Sequence, residues 1–143
     1  EISDTYPTLT ETQIRNMLAA FLFTGDDVFK VISSLSGGER GRVSLAKLML
    51  SEANFLILDE HTAALDPKTA EIIMELTDQV VKEKKVTTIM VTHNLRYAVE
   101  YGNRLIMMHE GKAILDKAGE EKKSINTEEI MGIFNKISVE CGN

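Results

Sequence analysis

The sequence predicts an α/β fold, because two short apolar runs alternate with stretches of helical periodicity. The runs lie at residues 55–58 and 86–91, and their continuous apolar character is typical of parallel strands that are covered on both faces. Between them, Asp66-Pro67 supplies an N-cap and an N1 proline for a helix that extends to about Lys84. A right-handed crossover then brings the carboxyl ends of both strands to the same edge of the sheet.

The residues before the first strand predict a small helical unit. Residues 1–9 indicate a loop, and Thr8 with Glu11 has the spacing of a capping box at the start of a helix. Asp26-Asp27 favours a short second helix. Ser36 with Glu39 has the same capping-box spacing, and the helix that it opens is expected to end at residues 51–54.

The residues after the second strand predict a short helix, a hairpin and a terminal helix. Asn94 is a candidate N-cap, residues 104–109 and 112–115 form the hairpin, and residues 117–124 form a charged linker. The terminal helix begins near Thr127, and we expect its apolar positions to face inward: Ile130, Ile133, Phe134 and Ile137. The predicted organisation is a helical subdomain at 1–50, an α/β segment at 51–116, and a linker with a terminal helix at 117–143.

Composition sets limits on the class of protein. The chain has 143 residues, of which 43% are hydrophobic and 27% charged, which suits one globular domain. The net charge of −6 argues against nucleic-acid binding through the whole surface. The single Cys141 favours a reducing, cytoplasmic setting, and the absence of a membrane-length apolar run or signal peptide argues against direct membrane insertion. Because the sequence starts at Glu1 without Met, we expect it to begin inside a larger protein, or to have been processed or cut by design.

Ser36-Gly37-Gly38-Glu39 is the first candidate for chemistry. Paired glycines at the start of a helix leave backbone N–H groups open to an anion such as a phosphate. The basic residues that follow, Arg40 and Arg42, favour the same interpretation. The alternative is an ordinary helix start that binds nothing.

Asp59 and Glu60 follow the first strand, and His93 follows the second. Ligands of open α/β sheets bind at this edge, where Asp59 is suited to Mg²⁺. Glu60 points the other way on an extended chain and is suited to polarising a water. His93 is placed to sense a γ-phosphate. The alternative for the two acids is that they are simply solvated at a strand end, and the alternative for His93 is a structural role. We also expect a structural role for His61, although it lies close enough to Asp59 and Glu60 to influence their carboxylates.

A zinc site at His61 and His93 is conceivable, but no His or Cys spacing supports it. His109 is treated as structural.

Four motifs in order resemble those of ATP-binding cassette (ABC) ATPases. Residues 35–39 are similar to the signature motif, and residues 55–60 to the Walker B strand with its catalytic glutamate. Residues 64–66 (Ala-Leu-Asp) resemble the D-loop, and residues 91–93 (Val-Thr-His) the segment of the switch histidine. The resemblance implies a truncated P-loop NTPase-like ABC ATPase core with a helical subdomain. Residues 1–50 would be that subdomain with the signature helix, and residues 51–116 the C-terminal half of the ATPase core. Order and spacing match through about residue 115.

The two halves of the chain resemble different subfamilies. Residues 1–60 are most similar to ABC-F proteins, soluble ATPases that act on the ribosome. From His61 onward the chain resembles ATPase subunits of bacterial importers, in particular those assigned to tryptophan or tyrosine transport. ABC-F proteins usually have Pro, not His61, after the catalytic glutamate, and Ser, not Thr92, before the switch histidine. The change of resemblance suggests a chimera of two ABC ATPases, and an unusual natural subfamily is the alternative.

One motif of the family does not occur. The sequence contains no Gly-x-x-x-x-Gly-Lys-Ser/Thr, because Gly111-Lys112 is followed by Ala113 and lacks the earlier glycine. That Walker A loop supplies the phosphate cradle, the lysine and the Mg²⁺ hydroxyl. We therefore expect weak or absent nucleotide binding and negligible ATP hydrolysis by this chain alone. A folding chimera with no activity and an ABC-F-like ribosome-associated fragment are the alternatives.

The resemblance implies roles and partners for the intact dimer, with ATP and Mg²⁺ as cofactors. It implies that Asp59 serves Mg²⁺, Glu60 polarises water, His93 contacts the γ-phosphate, and residues 36–39 close over ATP bound to a partner subunit. It further implies that Asp66 couples the two sites. The expected partners are a second ABC ATPase subunit or the missing N-terminal half, and permease subunits in an importer, at the inner face of the membrane. Because missing strands leave an edge and an apolar face open, we also expect homo-oligomers.

Overall fold

The computed structural model describes residues 2–63 and 65–140, with side chains described as far as Lys136. Glu1, Ala64, Cys141 and the side chain of Ile137 therefore lie outside the described residues. The chain divides into two compact units, Glu1–Val91 and Thr92–Asn143. Each unit is described by itself.

The first unit contains four α-helices, two short 3₁₀ helices and two strands among its described residues. The helices are α1 (Ile2–Thr5), α2 (Glu11–Ala20), α3 (Gly37–Leu50) and α4 (Pro67–Lys84). The 3₁₀ helices are Gly25–Phe29 and Ile32–Ser34, and the strands are β1 (Phe55–Asp59) and β2 (Thr87–Val91). The predicted N-caps Ser36 and Asp66 begin α3 and α4, and the left-handed Lys85 ends α4.

Two expectations for the start of the chain are wrong. Residues 2–5 form a helix where a loop was expected, because Ile2 is buried in the core at 6% exposure. The capping box of α2 is formed by Thr10 and Gln13, where Thr8 and Glu11 were expected. The Thr10 N–H donates to Gln13 Oε1 at 2.8 Å, and the Gln13 N–H donates to Thr10 Oγ1 at 3.3 Å.

The core of the first unit joins α2, α3 and α4. Its buried members include Leu18 on α2, Ala46 on α3, and Ile73 and Val80 on α4. These helices carry apolar residues at 3.6-residue spacing, so each presents one stripe to the others. Full burial of one such aliphatic side chain contributes about 1.5–3 kcal/mol. This packing holds α2, α3 and α4 together.

Strands β1 and β2 pair in parallel, as predicted, and in register from Phe55 opposite Thr87 to Asp59 opposite Val91. The expectation that both faces are covered is wrong. The side chains on one face are exposed: Phe55 at 48%, Ile57 at 63%, Ile89 at 52% and Val91 at 49%. Within the described residues these two strands pair only with each other, so this apolar face has no layer packed on it.

The second unit contains three helices and a hairpin among its described residues. These are α5 (Leu95–Glu100), β3 (Arg104–His109), β4 (Lys112–Ala118), α6 (Gly119–Ser124) and α7 (Thr127–Glu140). Strands β3 and β4 are antiparallel. The turn between them has Glu110 at φ 46° and Gly111 at φ 76°. Two successive positive φ values give the twist that a two-residue hairpin loop requires.

The charged residues 117–124 do not form the expected linker. They complete β4 and form α6, because Lys122 is buried at 4% exposure. Its ammonium donates to the carbonyl of Val99 and, at 2.9 Å, to that of Tyr101. These hydrogen bonds connect α6 to the end of α5.

In α7, Ile130 faces inward as predicted and is 1% exposed, but Phe134 is 44% exposed, so its inward prediction is wrong. Across residues 2–63 and 65–140, no helix has both the length and the apolar character that crossing a bilayer would need.

Candidate functional site

The segment Ser36–Glu39 forms the capping box that its sequence predicts. The Ser36 N–H donates to Glu39 Oε2 at 2.7 Å, and the Glu39 N–H donates to Ser36 Oγ at 3.2 Å. The first turn of a helix offers no intrahelical acceptor for its N–H groups. The box provides acceptors for the N–H groups of Ser36 and Glu39. The N–H groups of Gly37 and Gly38 have no acceptor within the helix. This is the local geometry that suits an anion.

Lys30 is a neighbour of this segment that the sequence analysis missed. Its Nζ lies 3.1 Å from Glu39 Oε1 and 2.8 Å from Asp27 Oδ1. The Ser36 backbone N–H, then Lys30 and the Ser36 hydroxyl, lower the pKa of Glu39 to about 2. Asp27 and then Glu39 raise the pKa of Lys30. Nothing in the sequence signals this pairing, because Lys30 lies in irregular structure nine positions before Glu39.

Gly38 is buried, and it lies in the first turn of α3 against Thr69 of α4. A Cβ on Gly38 would lie 2.3 Å from Thr69 Cγ2, and a Cβ on Gly37 would lie 3.4 Å from Leu65 Cδ2. Real Cβ atoms do not approach carbon as closely as the first distance, so Gly38 is required by packing. The structure thereby brings residues 36–39 next to the segment that contains Asp66.

Asp66 caps α4, as predicted. Its Oδ1 accepts from the Thr69 N–H at 3.1 Å. Hydrogen bonds from the Thr69 side chain and then its backbone lower the pKa of Asp66. Asp66 is exposed, whereas Leu65 and Thr69 on either side of it are half-buried. An exposed carboxylate with a fixed position is thus set beside the Ser36–Glu39 segment.

Asp59 and Glu60 lie at the carboxyl end of β1, and both are exposed. The extended backbone at Glu60, from which we predicted that its side chain points opposite to that of Asp59, is not formed. Glu60 has φ 43°, in the left-handed region, and its N–H donates to the Val91 carbonyl at 2.9 Å. The strand alternation therefore ends at Asp59 and does not set the direction of the Glu60 side chain.

The oxygen donors at this edge suit Mg²⁺, which needs few protein ligands, better than a metal ion that takes all of its ligands from protein side chains. Among the described residues, no group of three or more His, Cys, Asp or Glu is arranged to hold a metal ion. Mg²⁺ usually takes one or two carboxylates, with water and phosphate oxygens completing its shell. Asp59, an exposed oxygen donor at a strand end, is compatible with that pattern.

His61 has a structural contact, in keeping with the sequence analysis. Its Nε2 lies 3.3 Å from Thr77 Oγ1, and the Thr77 hydroxyl donates to the Ile73 carbonyl at 2.7 Å. Because that hydroxyl has only one proton, His61 Nε2 must be the donor to Thr77. Burial lowers the pKa of His61, which favours the neutral ring. The contact anchors the residue after Glu60 to α4.

His93 is exposed and belongs to the second unit, whereas the other predicted site residues belong to the first. It lies between Thr92 and the N-cap of α5. The Asn94 N–H donates to Thr92 Oγ1 at 3.1 Å, and Asn94 Oδ1 accepts from the Tyr97 N–H at 3.3 Å. These bonds fix the backbone on the carboxyl side of His93. A shared site for His93 and Glu60 stays a prediction.

Both the sequence and the fold of this chain are similar to those of known proteins. Residues 8–63 match the family model described as ABC transporter. The fold matches two dimeric structures of the bacterial ABC transporter cassette MJ0796, one of them in a post-hydrolysis state bound to ADP and Pi. The post-hydrolysis structure has a TM-score of 0.58 and is 28% identical in sequence, and the match covers 73% of this chain and 44% of the cassette chain. The second structure has a TM-score of 0.59 and is 25% identical, and the match covers 77% of this chain and 49% of the cassette chain. The chain is homologous to an ABC transporter ATPase domain and has part of its α/β fold.

Two curated relatives refine this placement. A tyrosine transport ATP-binding protein of Clostridioides difficile (strain R20291) is 52% identical over 103 residues, which are 72% of this chain and 41% of the relative. An energy-coupling factor transporter ATP-binding protein, EcfA2 of Bacillus cereus, is 44% identical over 87 residues, 61% of this chain and 30% of the relative. The chain thus spans less than half the length of these relatives.

Proposed function

We propose that this chain supplies part of an ATP site in an ABC transporter ATPase. One observation carries the proposal: the N–H groups of Gly37 and Gly38 open a helix that is packed against the Asp66 segment, in a chain homologous to transport ATP-binding proteins. Helix-start N–H groups favour phosphate oxygens through hydrogen bonds and the helix dipole. Residues 36–39 would close over ATP held by a partner subunit, and Asp66 would link the two sites.

The carboxylates at the end of β1 would act on the phosphates of a second ATP. Mg²⁺, when bound with ATP, neutralises the charge that develops on the phosphoryl oxygens. Asp59 would hold it through a carboxylate oxygen. Glu60 would orient and polarise the attacking water, and His93 would donate to the γ-phosphate.

The chain by itself would turn over ATP negligibly. It contains no Gly-x-x-x-x-Gly-Lys-Ser/Thr sequence, and that loop supplies most of the phosphate contacts in the proposed site. Activity would require a polypeptide that contributes the loop, and coupling to transport would require permease subunits. We also propose that the chain works at the cytoplasmic face of a membrane through such partners.

The partner surface that we propose is the exposed face of the β1–β2 sheet. Phe55, Ile57, Ile89 and Val91 present adjacent apolar side chains there, and such a face favours burial against another layer. The occupant that we propose is the part of an ABC cassette to which this chain has no counterpart, because the chain covers 44% of the solved cassette. That part would cover the apolar face.

The test combines this chain with a separately purified N-terminal half of a related cassette that carries a Walker A loop. We expect MgATP to raise the melting temperature of the mixture and leave that of either part unchanged. Glu60→Gln should keep this shift and lower ATP turnover about 10²–10⁴-fold. Glu52→Gln, at an exposed position beyond α3, is the matched control and should change neither. Robust turnover by the chain alone, or no gain on mixing, would contradict the proposal.

The partner surface is tested in the same mixture. Ile57→Glu places a charge in the exposed face and should abolish complex formation in sedimentation analysis. Met108→Glu changes an equally exposed residue of β3, at 61% against 63% for Ile57, and should leave complex formation intact. Equal effects of the two variants would show that the β1–β2 face is not the surface used.

A second candidate is a recombined chain with no activity, favoured by the missing Walker A sequence. It predicts that the mixture gains neither MgATP binding nor turnover, so the same experiment separates the two candidates.

A further inference from the structure

Thr69 lies between two parts of the proposed site and contacts both. Its backbone N–H donates to the Asp66 carboxylate at 3.1 Å, and its side chain lowers the pKa of Asp66, which agrees with a hydroxyl on that side. Its methyl, Cγ2, occupies the space beside Gly38, since a Cβ on Gly38 would lie 2.3 Å from it. A single side chain thus joins the cap of α4 to the first turn of α3.

We propose that Thr69 is a positioning residue that fixes the Ser36–Glu39 segment to the Asp66 segment. Threonine has two different groups on Cβ, and its χ1 angle decides where each of them points. The backbone N–H of Thr69 is bonded to Asp66 at 3.1 Å, and the rotamer of the side chain places its methyl at Gly38. The two segments then move as one rigid element, and a ligand that orders one of them orders the other.

The remaining contacts of the two helices explain why Gly38 is the critical position. A Cβ on Gly41, one turn further along α3, would lie 3.4 Å from Ile73 Cδ1, which is the flexible end of a long side chain. A Cβ on Gly38 would meet a stiff β-branched side chain instead, and its distance to Thr69 Cβ would be an acceptable 3.7 Å. The methyl of Thr69 alone therefore excludes a side chain at residue 38.

Thermal unfolding of four variants tests the contact. Gly38→Ala should lower the melting temperature by about 3–10 °C, the usual effect of overpacking in a domain of this size. Gly38→Ala combined with Thr69→Ser, which keeps the hydroxyl and removes the methyl, should recover more than half of that loss. Thr69→Ser alone gives the baseline for this recovery. Gly41→Ala is the matched control and should not lower the melting temperature, because alanine favours the helix.

Amide hydrogen exchange tests the positioning role. Loss of the methyl in Thr69→Ser should speed exchange of the Glu39 N–H by about fivefold to tenfold through local opening. The Gln13 N–H, which donates to Thr10 in the other capping box of the first unit, should exchange at an unchanged rate. Thr69→Val replaces the hydroxyl with a second methyl and so changes the χ1 preference; it should also speed exchange of the Glu39 N–H.

The proposal would be overturned by equal melting temperatures for Gly38→Ala and Gly41→Ala, by no recovery in the double variant, or by parallel changes at Glu39 and Gln13. Its significance rests on the proposed function, but no measurement uses nucleotide, so the two can fail separately.

Discussion

The Glu60 N–H donates to the Val91 carbonyl at 2.9 Å, so the residue after β1 is tied to the last residue of β2. Glu60 makes this bond with a left-handed backbone, at φ 43°. For any residue with a Cβ, this conformation costs about 1–2 kcal/mol. Such strained positions concentrate at functional sites, where the surrounding structure maintains them. The residue proposed to polarise water is therefore held at a cost in stability.

Replacing Glu60 with glycine should expose that cost. Because glycine adopts positive φ readily, Glu60→Gly should have a free energy of unfolding about 1 kcal/mol higher than Glu60→Ala. Both variants lose the carboxylate, so the difference between them isolates the backbone. Urea denaturation of both proteins measures it. The same exchange at Glu52, from Ala to Gly, should show no such gain. A Glu60→Ala variant as stable as Glu60→Gly would disprove the strain.

The sequence predicts local structure well where a single segment determines it. The Ser36–Glu39 box, the Asp66 cap and the 110–111 turn depend on neighbours within a few residues, and each is confirmed. At the start of the chain two boxes compete, Thr8 with Glu11 and Thr10 with Gln13. The second forms, so α2 begins at Glu11, after a preceding helix whose Ile2 is buried.

Contacts between distant segments leave little trace in a single sequence. The methyl of Thr69 against Gly38, the amine of Lys30 on Glu39 and the burial of Lys122 all depend on packing that periodicity does not encode. The exposed face of β1 and β2 was missed for a related reason. An apolar run predicts a buried strand, but a second covering layer has to come from elsewhere, and composition does not reveal whether it is present.

Acidification should weaken the first unit through His61. Burial lowers the pKa of His61 in the folded chain, so the unfolded chain binds the proton more tightly. The stabilising contribution is therefore complete above the ordinary pKa of about 6.5 and is lost as the pH falls through the lowered folded value. Unfolding free energies measured from pH 7.5 downward should decrease across this window. His61→Gln keeps a donor for Thr77, and its free energy of unfolding should decrease less over the same pH range. The same pH dependence in His61→Gln and in the unsubstituted chain would contradict a role of His61 in acid sensitivity.

Lys122 should be the most important lysine for the stability of the second unit. It donates to the carbonyls of Val99 and Tyr101 from a buried position. Lys122→Ala leaves two carbonyls without their donor, which typically costs about 1–3 kcal/mol. Lys123→Ala is the matched control, because Lys123 is exposed and pairs with Glu120 at the surface, where a pair contributes about 0–1 kcal/mol. Denaturation followed by circular dichroism compares the two, and equal losses would rule out the anchoring role.

Glu39→Gln should change the response to acid while keeping the capping box, since glutamine serves at the same position in the Thr10–Gln13 box. The Ser36 backbone N–H and Lys30 hold the pKa of Glu39 at about 2, below its ordinary value of 4.5. Its contribution is therefore present above 4.5 and lost as the pH falls toward 2. The free energy of unfolding, measured from pH 5 downward, should decrease less steeply for Glu39→Gln than for the unsubstituted chain. Lys30→Met should move the loss to a higher pH, because only the Ser36 bonds remain. Identical acid profiles for all three proteins would show that Glu39 does not stabilise the start of α3 through its charge.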